Sequence, residues 1–284
     1  MIIAVASGKG GTGKTLVSTS LALSLAKNVQ ILDCDVEEPN ASLFIKPEQE
    51  KIAKAFVLVP EVDEKKCDYC GHCAKVCEYN AMVVAKNKVL IFPQLCHSCG
   101  ACSVLCPRQA IVEKKREIGR IKTGVKGGLF FVEGRLNVGE TMSPPLIRQV
   151  KELIELSCTV ILDSPPGTAC PVIAALKGSD FCLLVTEPTP FGLNDLILAV
   201  ETVRKLGIPF GVIINRSDLG NDEVEKYCAA ENIPVLMTIP FKKEIAEAYS
   251  KGVSIVEAFP EYAQKFKDAA QKINLIVAGE GKKR

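Results

Sequence analysis

Short apolar runs punctuate the chain at Ile2–Ala6, Val29–Leu32, Thr159–Leu162, Phe181–Val185, Phe210–Ile214 and Val235–Ile239, with helix-period patterns between them. Runs of this length fit strands buried on both faces. Strands alternating with helices predict an α/β fold, a mostly parallel sheet flanked by helices, with ligands gathered at the carboxyl ends of the strands. The polar segments fall in those places. A glycine-rich stretch follows the first run, Asp33-Cys34-Asp35 the second, Asp163-Ser164-Pro165-Pro166-Gly167 the third and Asn215-Arg216-Ser217-Asp218 a later one. Four segments can therefore converge on one ligand.

Between Pro60 and Val112 the pattern changes: cysteines cluster, helical periodicity disappears, and the segment repeats itself, Cys96 following Cys67 by 29 residues. Gly71 then matches Gly100, Ala81 matches Ala110, and Met82-Val83 matches Ile111-Val112. This predicts an inserted module at 60–112 that splits the main domain into 1–59 and 113–284. Residues 113–128, rich in Lys, Arg and Gly, read as a mobile return linker, with one more strand available at Leu129–Val132. The tail from Gly279 to Arg284 reads as solvated and disordered. Phe259, Tyr262, Ala263, Phe266, Ala270, Ile273 and Val277 form a helical stripe, read as a helix packed on the sheet rather than a membrane-seeking face.

Composition narrows the function classes. With 284 residues and 48% hydrophobic content the chain can bury a full core. Thirty-five basic against thirty-three acidic residues give +2, which offers no electrostatic case for nucleic acid or an anionic membrane. No basic leader precedes Ile2 and no apolar run reaches roughly 18 residues, so the expected compartment is the cytoplasm. Thirteen cysteines in a reducing compartment point to metal or catalysis rather than disulfides.

Gly8-Lys9-Gly10-Gly11-Thr12-Gly13-Lys14-Thr15, set between a strand and a helix, has the pattern of a phosphate-binding loop. Consecutive backbone amides wrap the phosphates, Lys14 neutralises the outer ones, and the Thr15 hydroxyl ligates magnesium. Eight cysteines form two copies of C-x2-C-x2-C-x3-C: Cys67, Cys70, Cys73, Cys77 and Cys96, Cys99, Cys102, Cys106. That spacing predicts two 4Fe-4S clusters, and a tight loop bearing three ligands takes its fourth from the other repeat. Cys67, Cys70, Cys73 and Cys106 then serve one cluster, and Cys96, Cys99, Cys102 and Cys77 the other, as in bacterial-type ferredoxins. Zinc ribbons use two separated pairs instead. Pro107 follows Cys106, whereas Glu78 follows Cys77. His72 and His97 lie in these loops as neighbours, outside the ligand sets.

The extra lysine, Lys9, makes the loop resemble that of the MinD/ParA/Mrp superfamily of dimeric P-loop ATPases, which includes the nitrogenase iron protein. Together with Asp33-Cys34-Asp35-Val36-Glu37-Glu38-Pro39-Asn40, Glu187-Pro188-Thr189-Pro190-Phe191-Gly192 and the insert, the chain resembles those members that carry an inserted 2×4Fe-4S ferredoxin domain. The resemblance implies a P-loop NTPase fold, ATP and Mg2+ as ligands, and a nucleotide-sandwich dimer with itself or a homologous subunit. Lys9 would reach the partner's phosphates, Asp35 in switch I would orient the attacking water, and Asp163 in switch II would sense magnesium and the γ-phosphate. Asn215 would recognise adenine, with Pro240 as a neighbour. Asn-Arg-Ser-Asp also resembles a guanine-reading N-K-x-D. Leu16 stands where many relatives have a second hydroxyl, which predicts modest affinity.

Cys34, Cys158, Cys182 and Cys228 read as small core residues. Cys170, seven residues after Asp163, resembles by spacing the cysteine through which the nitrogenase iron protein ligates its shared cluster, but the second cysteine such a bridge needs is missing. A packing role is the simpler expectation, coupling of switch II to a transient metal or partner the sharper one. The functional expectation is an ATPase, slow without its partner, in which dimer switching gates electron transfer to a metalloprotein or metallocluster under assembly. An iron-sulfur carrier or scaffold and a positioning ATPase are the alternatives.

Overall fold

The computed structural model describes residues 1–25 and 27–281, with the side chains of 280 and 281 left undescribed. In chain order the strands are β1 Ile2–Ala6, β2 Val29–Asp33, β3 Glu48–Val62, β4 Met82–Ala85, β5 Lys88–Ile91, β6 Ile111–Lys126, β7 Leu129–Leu136, β8 Thr159–Asp163, β9 Phe181–Thr186, β10 Phe210–Asn215 and β11 Val235–Ile239. The helices are α1 Lys14–Leu25, α2 Ser42–Ile45, α3 His72–Lys75, α4 Ala101–Val104, α5 Pro144–Lys151, α6 Cys170–Leu176, α7 Pro190–Lys205, α8 Glu223–Ala230, α9 Lys243–Ser250, α10 Ile255–Ala258 and α11 Glu261–Gly281.

Nine strands make one sheet in the order β11-β10-β9-β1-β8-β2-β7-β6-β3. The seven from β11 to β7 run parallel, and β6 and β3 close one edge antiparallel. Alternate residues of one strand feed two different cores, because successive side chains point to opposite faces. Ala4, Leu32, Val160 and Leu162 face a core covered by α5, α6 and α7, whereas Ile3, Ile31, Ile161 and Phe131 face one covered by α1 and α11. That double burial is why these strands read as continuous apolar runs.

The expected linker at 113–128 is the largest departure. Ile111–Lys126 is a strand, and its partner β3 pairs with it from Glu48↔Val125 to Val62↔Ile111. Only Gly119–Lys126 also pairs with β7, so from Ile118 back to Ile111 the β3–β6 pair runs on as a two-stranded ribbon whose base, Ile118 and Val57, stays in the core. The register slips between Ala55 and Phe56, opposite Ile118. There the Gln149 amide of α5 donates to Phe56 O (3.0 Å) and accepts from Phe56 N (3.4 Å), satisfying backbone groups at the edge of the sheet. The ribbon resists sequence reading because its outward residues are Lys, Arg and Glu and its partner strand is remote in sequence.

Residues 63–110 leave the ribbon at Val62 and rejoin it at Ile111. Their backbone repeats as the sequence does: positive φ recurs at Tyr69 and Ser98, Gly71 and Gly100, and Asn80 and Gln109. Phe92 N donates to Ala81 O as Asp63 N donates to Ala110 O.

At the other end, Tyr262, Phe266 and Ile273 of α11 are buried against α1 and β11. The stripe is thus a core face. The expected disordered tail is helical through Gly281, and Lys282–Arg284 lie outside the described residues. Among the described residues no helix is long and apolar enough to cross a membrane.

Candidate functional site

The carboxyl ends of five strands build one cavity of about 410 Å3. From the loop after β1 come Gly10, Gly11, Gly13, Lys14 and Thr15, from the loop after β2 come Asp35, Glu38 and Asn40, and Pro166, Asn215 and Pro240 follow β8, β10 and β11. Lys14 and Thr15 open α1, so its unpaired amides face the cavity. Gly13 has φ +98°, and a Cβ there would stand 2.4 Å from Asn215 Nδ2. Asn215, expected to read adenine, lines the cavity, donates Nδ2 to Thr12 O (2.8 Å) and accepts from Arg216 N (3.0 Å), clipping the loop to β10.

Asp163 lies beneath Lys14, fully buried, and neither of its carboxylate oxygens has a hydrogen-bond partner among the described residues. Burial pushes its pKa up, against the pull of Lys14 and the hydroxyls of Thr15 and Ser18. A buried carboxylate with two vacant oxygens beside a threonine hydroxyl is a donor set that fits Mg2+. Asp35 is pushed up to about 6, chiefly by burial, with Lys14 opposing and Asp163 reinforcing. Asp33 is also raised, by burial and then by Asp163. Its oxygens accept from the amides of Asp35, Asn40 and Ala41, so it shapes the loop that carries Asp35.

Gly8, Lys9 and Thr12 do not line the cavity. Gly8 packs so closely on Asp195 of α7 that a Cβ would meet its carbonyl at 2.1 Å. Lys9 Nζ reaches Glu187 Oε1 at 2.9 Å, and the other oxygen of Glu187 holds Arg216 at 2.9 Å. Arg216 and Phe241, in segments the sequence brought to this end of the sheet, join the wall, and the sequence reading missed Lys242, Ile245, Ala246 and Tyr249. Tyr249 also packs on Phe44, ring centroids 4.6 Å apart and planes tilted by 31°. The missed residues follow no phosphate-loop pattern: Lys242 caps α9, the others lie on it, and only the packing of that helix brings them here.

The cysteines stand apart from this cavity and surround two smaller ones. Cys67, Cys70, Cys73 and Cys106 line the first, together with the Asp68–Arg108 ion pair. Cys77, Cys96, Cys99 and Cys102 line the second, beside Tyr79 and His97, whose rings stack at 3.6 Å. Each quartet takes three cysteines from one repeat and one from the other. Amides of Ala81 and Ala110 donate to Cys77 Sγ and Cys106 Sγ, both at 3.3 Å. Burial raises the thiol pKa of Cys73 and Cys96 and pushes Cys102 up to about 11. Among the described residues no three His, Cys, Asp or Glu side chains close in on a point suited to one metal ion. Each quartet rings a cavity instead. The thiols, the two-repeat origin of each quartet and the amides aimed at sulfur fit an iron-sulfur cluster in each.

Of the remaining cysteines, Cys34, Cys158, Cys182 and Cys228 are buried, and Cys170 is exposed at the start of α6.

Two uncharacterised proteins of Methanocaldococcus jannaschii are 34% and 32% identical to this chain, covering 98% and 90% of it and 98% and 92% of themselves. An iron-sulfur cluster carrier protein of Pyrococcus abyssi is 25% identical over 93% of this chain and 84% of its own length. The fold resembles that of the septum site-determining protein MinD of Pyrococcus horikoshii in complex with Mg-ADP (TM-score 0.60, 21% identity, 96% of this chain and 95% of that one). The family model for the CobQ/CobB/MinD/ParA nucleotide-binding domain matches residues 3–255, which span every segment of the cavity wall just described. With its glycine loop, parallel sheet and buried carboxylates in these positions, the chain belongs to that family of P-loop ATPases.

Proposed function

We propose that the protein is an ATP-hydrolysing switch whose nucleotide state gates electron delivery to a metalloprotein or to a metallocluster under assembly. The observation that carries this reading is a nucleotide cavity at the strand ends of one sheet and two cysteine quartets held against the β3–β6 ribbon that extends it. The loop after β1 holds the phosphates, Lys14 offsets their charge, and Thr15 and Asp163 hold Mg2+. Asp35 orients the attacking water, and Lys9 completes the site across a dimer of two copies or of this chain and a homologous subunit. Cys67, Cys70, Cys73 and Cys106 hold one 4Fe-4S cluster; Cys96, Cys99, Cys102 and Cys77 hold the other. Bound there, the clusters supply one-electron redox chemistry. The amides on Cys77 and Cys106 favour the more negative state of each site.

An EPR-monitored redox titration of anaerobically purified protein, with and without Mg-ATP, tests the reading. Two interacting 4Fe-4S signals whose midpoint potentials move with nucleotide are expected; unmoved potentials overturn gating. A second reading, cluster carriage, draws on the relatives named iron-sulfur cluster carrier proteins. Transfer of iron and sulfide to an apo-ferredoxin would favour it. A positioning ATPase acting at membranes is disfavoured by the buried stripe of α11.

A further inference from the structure

We propose that residues 137–143, which follow β7, form a strap that carries the nucleotide state of the loop after β2 to Arg116 beside the Cys96-lined cavity. The proposal rests on the gating reading and names the regulation within it. The loop bearing Asp35 is bonded to the end of β7: Leu136 N donates to Val36 O at 2.9 Å, and Arg135 Nη2 reaches Pro39 O at 3.5 Å. Gly134 permits that contact, because a Cβ there would stand 2.7 Å from Val36 Cγ1 and 2.6 Å from Val150 Cγ2. A shift of the loop cannot be absorbed at this junction without moving the end of β7.

From β7 the strap runs to the foot of the ribbon. Asn137 N donates to Ile118 O at 2.9 Å, where the ladder slips. Glu140, 5% exposed, grips the Arg116 guanidinium with both carboxylate oxygens, and Arg116 Nε is buried with no acceptor among the described residues. Among the described residues Glu140 alone holds the guanidinium in place. Thr141 Oγ1 then donates to Gln94 O at 3.3 Å, two residues before Cys96. Arg116 stands on β6 three residues from Glu113, which lines the Cys96 cavity. Among the described residues the first quartet has no comparable link: its ion pair, Asp68–Arg108, lies wholly within residues 63–110. One cavity is therefore tied to the nucleotide loop and the other is not.

The test uses the full-length protein with its clusters, in three variants and two readouts. Amide exchange with and without Mg-ATP should show changed protection at 137–141 and 94–97 in the parent protein. That change should vanish in Glu140→Gln. Nucleotide effects confined to the loops after β1, β2 and β8 overturn the strap. In redox titration, Glu140→Gln should raise and Arg116→Gln lower the midpoint potential of one cluster, leaving the other unmoved. Arg116→Lys keeps the charge but loses the two-pronged grip, so it should hold the resting potential and lose the nucleotide response. Equal shifts of both clusters, or a full nucleotide response in all three variants, also overturn it. If exchange reaches 94–97 while the parent's potentials ignore Mg-ATP, the strap stands and gating falls. Moving potentials with exchange confined to the nucleotide loops give the reverse.

Discussion

Asp33, Asp35 and Asp163 share the carboxyl ends of β2 and β8, yet they do different work. Asp33 spends its oxygens on backbone amides; Asp163 keeps both vacant. Asp35 and Asp163 have folded pKa values above the ordinary carboxylate range, so the apo protein binds more protons than its unfolded chain between about pH 4 and 6. Their contribution to apo stability is accordingly full below that window and lost as pH rises through it. A divalent cation favours the ionised carboxylates, so Mg-ATP binding near pH 6 should release protons, measurable by calorimetry in buffers of different ionisation enthalpy. Proton uptake would contradict the assignment. Lys14→Ala should lower the rate of ATP hydrolysis by about 10²–10³-fold. Lys9 is held within its own chain by Glu187 at a partly exposed pair, a contact worth up to about 1 kcal/mol. Glu187→Gln should therefore raise basal hydrolysis by about two- to fivefold. A fall in rate would show instead that Glu187 supports the site through Arg216.

At the scale of elements, legibility followed burial. Six parallel strands could be read because both faces are apolar, and the glycine loop because its chemistry demands a fixed spacing. The β3–β6 ribbon could not: exposed faces carry Lys54, Glu117, Lys114 and Glu61, which pair with each other across strands. Such cross-strand charge support exists only once residues far apart in sequence meet. Tyr249 and Lys242 stayed invisible for the same reason, since α9 reaches the cavity by tertiary packing alone. Helix α11 is the opposite case. Its stripe was legible, and Phe266, fully buried, should cost about 3–5 kcal/mol on truncation to Ala in a denaturant melt. A loss below about 1 kcal/mol would mean the helix is only loosely docked.

At the scale of the molecule, the two kinds of site are carried by different parts of one framework. The nucleotide cavity depends on the parallel strands, and the cysteine quartets depend on the ribbon and residues 63–110. Cys106→Ser should therefore halve the bound iron by removing a ligand from one quartet, while ATP binding stays within about twofold of the parent. Equal loss of nucleotide binding would show that the sheet itself had been damaged. The repeat of positive φ at Tyr69/Ser98, Gly71/Gly100 and Asn80/Gln109 gives the two quartets closely similar backbones. Within the repeat they differ in Asp68–Arg108 against Tyr79–His97; outside it, Glu140, Thr141 and Arg116 serve the second alone among the described residues.

Val62 and Ile111 stand opposite each other at the open end of the β3–β6 ladder. Everything between them enters and leaves through a single rung, so residues 63–110 occupy the place a hairpin turn would take. A two-residue Asn-Gly turn joining Val62 to Ile111 should close the ribbon and leave a folded, nucleotide-binding protein without cysteine quartets. The same doorway admits other cargo: a foreign domain whose termini lie one rung apart could be grafted there, turning the sheet into a socket for interchangeable modules.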